Sequence, residues 1–344
     1  MNIYYSDIHK KHDFRSNSND EKEQELYYEV PDRIDSILDA LEDESWSNIT
    51  APDDFGLEPI KKIHTVEYLD YLKSAYHDWM DQSEKTGVAY IPYKPGFNKS
   101  DLPYDDIPDK DGFFMTDMNV EVNESTYLAA IASANSALST ATSLLNGEKS
   151  AFGLCRPPGH HSGASICGGF CFLNNAAIAA NWLSVHGKVA ILDIDYHAGN
   201  GTQSLFYERS DVLTISLHAD PSWEYPRYAG YAQETGVGKG KGFHRNFPLP
   251  PQTDEALYLH HLSEAIELIH AFSPEFLIVS AGFDTFEDDP LGTFQITRNG
   301  FQSIGQEICS MRLPTGIVLE GGYQIEELGR NVVAFLEPFA TQVL

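Results

Sequence analysis

The segment Val189-Ala190-Ile191-Leu192-Asp193-Ile194-Asp195-Tyr196-His197 joins an apolar run to a cluster of polar side chains. A short apolar run that ends in a turn is typical of a strand buried on both faces of a parallel sheet. Similar runs occur later in the chain, at 212–215, 276–279 and 317–319. Helical segments fit before three of the four runs, at about 172–186, 254–272 and 297–311. This alternation predicts an α/β protein with a largely parallel central sheet and helices on both of its faces.

The part of the chain before this region carries helix signals. Apolar residues recur at helical spacing over 34–41 and again over 66–72. An Ala-rich run over 125–145 ends at Asn146-Gly147, a pair that commonly terminates helices. These patterns predict three helices.

A different stretch separates the second and third of these helices. Residues 81–112 contain four prolines and show no sustained hydrophobic period. Loops of this length in compact domains are usually functional or disordered, and the aromatic residues here favour an ordered excursion. We therefore predict a single domain over residues 1–344, with a long loop insertion at about 81–112.

The charge of the chain excludes whole classes of partner. Lysine and arginine total 23 against 51 aspartate and glutamate, which gives a formal net charge of −28. Such a charge repels phosphate backbones and anionic lipid, so neither nucleic acid nor a membrane is an expected partner. The same charge is typical of a solvated surface in a salt-tolerant organism, and it also attracts cationic ligands.

Cysteine usage and hydropathy predict the compartment. The four cysteines are too few and too scattered to staple a chain of 344 residues, which indicates a reducing environment. The first residues lack the basic start and apolar run of a signal peptide, and no apolar stretch approaches the roughly 20 residues that span a bilayer. We expect a cytoplasmic protein.

Polar side chains follow the apolar runs, where parallel sheets bind ligands. Asp195 and His197 project to the same side if the chain stays extended, and Asp284 follows a neighbouring run. Two carboxylates and one imidazole suit a divalent metal that keeps open coordination positions. Each acid alone is more often a helix cap or a turn former. The three together favour a metal site.

A second cluster is Arg156-Pro157-Pro158-Gly159-His160-His161. Adjacent histidines after a Pro-Pro-Gly turn suggest a rigid pair beside an activated water, one acting as general base and the other as electrostatic partner or acid. Asp193 and Asn200 are candidates to accept the remaining N–H of each imidazole.

A third cluster is Glu320-Gly321-Gly322-Tyr323, directly after the last apolar run. A tyrosine here can donate its hydroxyl to a developing oxyanion, and spacing alone is equally consistent with core packing. The Gly-rich stretch 236–242 lacks the strand-turn-helix setting of a phosphate loop, so we interpret it as a mobile loop.

As a set, these motifs resemble the histone deacetylase superfamily. Within it, the chain is most similar to bacterial acetylpolyamine amidohydrolases in its length, its insertion and the phrase from Leu154 to His161. The matched order covers most of the chain, and comprises the segments 64–69, 155–161, 168–175 and 193–201, Asp284 and the segment 320–323.

The resemblance implies the arginase/deacetylase fold and hydrolysis of an N-acetyl amide. It implies a zinc ion held by Asp195, His197 and Asp284. The same donor set also accepts Fe²⁺ or Co²⁺. His161 matches the family's general base and His160 its partner. Tyr323 matches the hydroxyl that stabilises the oxyanion.

Other positions match the family in supporting roles. Phe170 and Tyr225 match the aromatic pair of a narrow substrate tunnel. Arg33 matches an internal-channel arginine, although its helix could equally place it at the surface. Ala198 stands where many deacetylases carry a second histidine. The family also binds a structural K⁺ or Na⁺, and the positions that match its inner site are Asp193, Asp195, His197, Ser216 and Leu217.

The resemblance further implies a small cationic acetylated amine, an acetylated polyamine, as substrate. The 81–112 insertion would form a homodimer and narrow the mouth of the site, excluding bulky proteins. Glu25, Asp106 and Asp117 are candidates to bind the substrate ammonium groups, and each is also consistent with a solvated surface acid.

Two alternative functions stay open. The first is a broad deacetylase that acts on acetyl-lysine proteins or on small acetylated amines. The second is a metal-dependent binding or sensor protein without turnover. The presence of His160, His161 and Tyr323 argues against the second.

Overall fold

The computed structural model describes residues 1–15, 27–82 and 111–341. In these ranges eight parallel strands form one sheet, in the order β2-β1-β3-β8-β7-β4-β5-β6. The strands are β1 (Asn2–Tyr4), β2 (Asn48–Thr50), β3 (Ser150–Gly153), β4 (Val189–Asp193), β5 (Val212–Ala219), β6 (His244–Leu249), β7 (Phe276–Ala281) and β8 (Thr315–Leu319).

The same ranges contain nine α-helices. They are α1 (Asp32–Glu42), α2 (Val66–Gln82), α3 (Asp111–Phe114), α4 (Thr126–Leu145), α5 (Asn175–Leu183), α6 (Asn200–Phe206), α7 (Glu255–Phe272), α8 (Arg298–Ser310) and α9 (Ile325–Ala340). Helices α4 and α5 pack together, with α4 against β1, β3 and β8 and α5 against β7 and β4. Helix α9 packs between α1 and α8, while α7 contacts α8 and β5.

The four predicted strands are confirmed as β4, β5, β7 and β8. All four are buried along almost their whole length, which explains their continuous apolar sequences. The other four strands give weaker sequence signals. β1 and β2 have only three residues each, β3 is the four-residue segment SAFG, and β6 includes the exposed Arg245 and a proline. The pattern therefore identifies the centre of the sheet but not its margins.

The predicted helices are also present, and local capping explains several of their ends. Gly147 adopts φ +95° directly after α4, a conformation that favours glycine. The side chain of Asp254 accepts a hydrogen bond from Leu257 N at 2.9 Å, which fixes the start of α7. The sequence pattern does not predict α9, and the 236–242 loop contains a short 3₁₀ turn at Gly238–Gly240.

Helix α4 is the one helix among the described residues with the length and hydropathy to cross a bilayer. Its Ala- and Ser-rich faces lie instead against the sheet and α5, and most of its residues are buried. Small side chains allow this close packing. The apolar character of α4 is therefore that of a core helix.

The sheet order brings four strand ends together. β3, β8, β7 and β4 are consecutive neighbours, and Asp193 at the end of β4 lies in register with Ser280 of β7 and Ser216 of β5. Because all the strands are parallel, the loops that follow them leave from one edge of the sheet. These loops carry all three sequence clusters.

Candidate active site

Asp195, His197 and Asp284 converge at this edge. One ligand atom from each lies within 4.8 Å of the other two, and all three side chains are largely buried. His197 Nδ1 lies 3.0 Å from Asp284 Oδ2 and 3.4 Å from Asp195 Oδ1. The two aspartates come from different strand ends, so only the sheet order makes them neighbours.

Backbone groups hold these two carboxylates. The N–H of Gly321 donates to Asp195 Oδ2 at 2.8 Å, and the N–H of Tyr196 donates to Asp284 Oδ1 at 2.8 Å. A Cβ added at Gly282 or Gly321 would collide with these carboxylates. Glycine is therefore required where the chain passes the cluster, because any side chain there would displace the carboxylates.

Electrostatics favour a cation at this cluster. Burial raises the pKa of Asp284 to about 7, and the neighbouring Asp195 adds to the shift. Burial opposes protonation of His197, but its hydrogen bonds to the two aspartates raise its pKa to about 10. Adjacent buried carboxylates are costly without a compensating positive charge. Two carboxylate oxygens and one imidazole nitrogen fit a divalent metal, and these residues are suited to hold it.

The two adjacent histidines lie beside this cluster. The ring centroids of His160 and His161 are 3.9 Å apart. His160 Nδ1 lies 3.0 Å from Asp193 Oδ2, and His161 Nδ1 lies 2.6 Å from Asn200 Oδ1. The two residues that the sequence suggests as imidazole partners thus each contact one ring.

The different partners separate the two rings electrostatically. Burial opposes the charged form of His160, yet Asp195 and Asp193 raise its pKa well above the usual value. Burial and the neighbouring His160 lower the pKa of His161 well below it. A general base must be neutral, which suits His161, and a cationic imidazole beside it suits stabilisation of negative charge.

A buried carboxylate fixes the histidine loop. Glu320 Oε2 accepts hydrogen bonds from the N–H groups of Gly159 at 2.6 Å and His160 at 3.1 Å. Burial raises the pKa of Glu320 to about 7. Glu320 also lies with His160 and Cys171 in a second close group of potential metal ligands. Through its hydrogen bonds to the backbone, Glu320 positions the loop that carries His160 and His161.

Tyr323 lines the cavity of the site and is 7% exposed. Its backbone N–H donates to Asp289 Oδ2 at 2.7 Å, and the guanidinium of Arg33 lies 4.9 Å from its ring centroid. Arg33 itself is fully buried, with hydrogen bonds to the carbonyls of Gly322 and Glu320. The structure thus decides between the two placements considered for Arg33, and its surface placement is wrong.

The cavity has a volume of about 720 Å³. Phe170 and Tyr225 both line it, and the Tyr225 ring contacts His161 edge-on with centroids 4.8 Å apart. Phe170 adopts φ +67°, a left-handed conformation uncommon for a bulky residue. The described lining residues are His12, Phe14, Tyr27, Tyr28, Glu29, Met118, Asn119, Glu121, His161, Gly169, Phe170, Phe172, His197, Glu224, Tyr225, Leu291 and Tyr323.

Asp117, a candidate to bind a substrate ammonium group, forms hydrogen bonds within the protein. Its Oδ2 accepts hydrogen bonds from the Tyr225 hydroxyl at 2.7 Å and from Gly169 N at 3.0 Å, and it does not occur among the described lining residues. These contacts hold the aromatic wall in place. Glu25 and Asp106 lie outside the described residues.

Comparison with known proteins identifies the family of this chain. Residues 27–338 match the histone deacetylase domain. Acetylpolyamine amidohydrolase 2 of Pseudomonas aeruginosa is 42% identical over 314 residues, 91% of each chain, and the acetylpolyamine amidohydrolase of Mycoplana ramosa is 38% identical over 349 residues, 99% of this chain and 100% of the other. The chain belongs to the histone deacetylase family.

A solved structure agrees with this assignment. The crystal structure of acetylpolyamine aminohydrolase from Burkholderia pseudomallei superposes with a TM-score of 0.92 at 36% identity and 99% coverage of both chains. The predicted arginase/deacetylase fold is confirmed. The protein is a metal-dependent deacetylase, a hydrolase that acts on amide bonds.

The structure of this deacetylase adds residues that the sequence analysis missed. Glu29 is buried between two buried arginines, with its Oε1 at 2.9 Å from Arg33 Nη1 and 2.8 Å from Arg156 Nε. Glu121 and Glu224 line the cavity. Arg156 belongs to the histidine motif quoted above, so the sequence could have indicated a role for it. Glu29 lies in a polar stretch with no pattern that marks it.

The positions expected to bind a monovalent cation share Asp195 and His197 with the metal cluster. Ser216 and Leu217 belong to β5, and Ser216 pairs with Asp193 of β4. Ser216 Oγ lies 2.7 Å from His218 Nδ1. Asp193 is also close to the chain of Asp195, whose N–H donates to Asp193 Oδ1 at 3.1 Å.

Proposed function

We propose that this deacetylase removes acetyl groups from acetylated polyamines and uses zinc held by Asp195, His197 and Asp284. The observation that carries the proposal is one cavity lined both by His161, His197 and Tyr323 and by carboxylates. Glu121 and Glu224 supply these carboxylates. A substrate with an acetyl amide at one end and ammonium groups further along suits both parts. The similarity to acetylpolyamine amidohydrolases over 91% or more of this chain supports the same substrate class.

Zinc suits the donor set, and Fe²⁺ or Co²⁺ can also occupy such a site. When bound, zinc supplies Lewis acidity that polarises a carbonyl and lowers the pKa of water. Asp195, His197 and Asp284 would hold it. Gly282 and Gly321 let the backbone pack directly against these carboxylates.

The histidines and Tyr323 carry the proton and charge movements. His161 Nδ1 is bonded to Asn200, so its Nε2 is the atom that accepts a proton from the attacking water. His160, charged beside Asp193, stabilises the negative charge that develops next to it. The hydroxyl of Tyr323 donates a hydrogen bond to the oxyanion formed from the acetyl carbonyl. His161 then delivers its proton to the departing amine.

The walls of the cavity select a narrow substrate. Phe170 and Tyr225 offer apolar ring surface to a methylene chain. The hydrogen bond from Tyr225 to Asp117 keeps its ring from turning away. Glu121 is half-buried at the same cavity and is placed to attract a distal ammonium.

A substrate panel tests the proposal. We expect kcat/KM for N-acetylputrescine and acetylspermidine to exceed that for an acetyl-lysine peptide by at least about ten-fold, the discrimination that about 1.4 kcal/mol of differential contact provides. Metal analysis is made on the same preparation. Preference for the peptide would replace the polyamine assignment with a broad deacetylase. Metal binding without hydrolysis of any of these substrates would indicate a binding or sensor protein.

Three further properties are part of the proposal. A structural K⁺ or Na⁺ at Asp193, Asp195, His197, Ser216 and Leu217 would offset buried negative charge. A homodimer would form through the 81–112 insertion, of which residues 83–110 lie outside the described part of the chain. A cytoplasmic location is supported by four free cysteines, three of them buried. Deleting residues 85–108 and measuring mass by light scattering tests the dimer.

A further inference from the structure

We propose that Tyr228 is a positioning residue that fixes the side-chain amide of Asn200 and, through it, the tautomer of His161. The inference rests on the proposed role of His161 as general base. Tyr228 lies in the loop after β5, and its side chain is partly exposed. Its hydroxyl nevertheless accepts a hydrogen bond from Asn200 Nδ2 at 2.9 Å.

Asn200 lies between Tyr228 and the catalytic histidine. It begins α6 and is buried, and its Oδ1 lies 2.6 Å from His161 Nδ1. An amide has an oxygen that accepts and a nitrogen that donates, so its orientation decides which proton His161 keeps. With the oxygen toward the ring, Nδ1 carries hydrogen and Nε2 is free to accept a proton. With the amide reversed, Nδ1 must accept from the amide NH₂ group, so Nε2 carries the hydrogen and cannot act as a base.

A phenol alone does not fix the amide, because a hydroxyl both donates and accepts. The direction of donation depends on the next residue in this hydrogen-bonded series, Thr116. The side chain of Thr116 lies within hydrogen-bonding reach of the Tyr228 hydroxyl. Thr116 Oγ1 in turn lies 3.1 Å from the carbonyl oxygen of Cys167 and 3.2 Å from Asp117 Oδ2, and both of these groups only accept.

One order of donors and acceptors satisfies all of these contacts. Thr116 donates to Cys167 or Asp117, so it accepts from Tyr228. Tyr228 has then used its one proton and accepts from Asn200. The amide oxygen is left facing His161, which donates its Nδ1 hydrogen.

The location of these groups predicts which kinetic constant responds. Among the described residues that line the cavity, Tyr228, Asn200 and Thr116 do not occur. They act on the substrate only through His161. Loss of the orienting hydroxyl should lower kcat and leave KM nearly unchanged.

The first test replaces Tyr228 with phenylalanine and uses whichever acetylated amine the wild type hydrolyses best. We expect kcat of Tyr228→Phe to fall at least about ten-fold, part of the contribution of a general base, with KM within about two-fold. Tyr231→Phe is the matched control. Its hydroxyl donates to the carbonyl of Arg227 at 2.7 Å in the same loop and does not contact Asn200. Equal kcat for Tyr228→Phe and wild type would overturn the proposal.

The second test places the same change in an Asn200→Asp background. Both oxygens of a carboxylate accept, so His161 Nδ1 is paired whichever way the group turns. Tyr228→Phe should then cost less than about two-fold in kcat, compared with ten-fold or more beside Asn200. An equal loss in both backgrounds would show that Tyr228 acts by packing.

Nitrogen-15 NMR of the His161 ring provides a readout independent of turnover, with its signals assigned from a His161→Gln variant. We expect a single Nδ1-protonated form in the wild type and a mixture in Tyr228→Phe. An unchanged tautomer in Tyr228→Phe would contradict the inference. Absence of amide hydrolysis by the wild type would instead refute the proposed function, so the two failures are distinguishable.

Discussion

The rings of His160 and His161 lie 3.9 Å apart between centroids, and their Nδ1 atoms face chemically different partners. The carboxylate of Asp193 pairs with His160, and the neutral amide of Asn200 pairs with His161. A carboxylate stabilises the imidazolium form, whereas an amide supplies no charge. Two residues adjacent in sequence are thus given different protonation states by residues 33 and 39 positions away.

Replacing Tyr323 with phenylalanine should lower kcat by about 100-fold or more, because an oxyanion hydrogen-bond donor is lost. The ring and its contacts with Phe170 and Arg33 are retained, so folding and zinc content should stay near wild type. Steady-state hydrolysis and metal analysis on one preparation measure both quantities. Unchanged hydrolysis would assign Tyr323 to packing.

Adding zinc to the metal-free protein should stabilise it against unfolding, and Asp284 should be required for this effect. Its carboxylate and that of Asp195 repel each other when no cation lies between them, and binding at 100 times Kd contributes about 2.7 kcal/mol. Thermal unfolding with and without zinc measures the shift. Asp284→Asn should lose most of it. Asp254→Asn is a matched control, because asparagine caps α7 as well as aspartate. An equal shift in Asp284→Asn would place the metal elsewhere.

Glu121 should make substrate binding depend on pH. Burial raises its pKa to about 7, so its carboxyl group is neutral below this pH and charged above it. KM for N-acetylputrescine should therefore fall as pH rises from 6 to 8, by roughly three- to five-fold for a partly exposed ion pair. Changes common to all substrates are removed by comparison with N-butylacetamide, which has no ammonium group.

The Glu121→Gln variant is the control for this pH effect. Its KM ratio between N-acetylputrescine and N-butylacetamide should be flat from pH 6 to 8. The same slope in Glu121→Gln and wild type would assign the pH dependence to another group.

Glu29 should be important for stability. It compensates the buried guanidinium groups of Arg33 and Arg156, so Glu29→Gln leaves two positive charges buried without a carboxylate. The free energy of unfolding should fall by about 3–5 kcal/mol in urea denaturation. Glu58→Gln breaks the exposed pair with Lys61 and should have no measurable effect. Similar small effects of both variants would show that water or other groups compensate the arginines.

The sequence by itself determined the centre of the sheet and the chemical groups at its edge. Apolar runs long enough to be buried on both faces identify β4, β5, β7 and β8, and the polar residues that follow these runs include Asp195, His197 and Asp284. These inferences depend on local periodicity. They hold because backbone geometry repeats over two to four residues whatever the rest of the chain does.

Tertiary structure alone decided which groups face each other. The charge of His160, the burial of Arg33, the bond between Asp117 and Tyr225, and the link from Tyr228 to Asn200 join residues 28 or more positions apart. No local pattern records such contacts, because they arise from the order of strands in the sheet and the packing of the loops that follow them. The chemistry of a side chain is set by its sequence, and its protonation and orientation by the neighbours that folding provides.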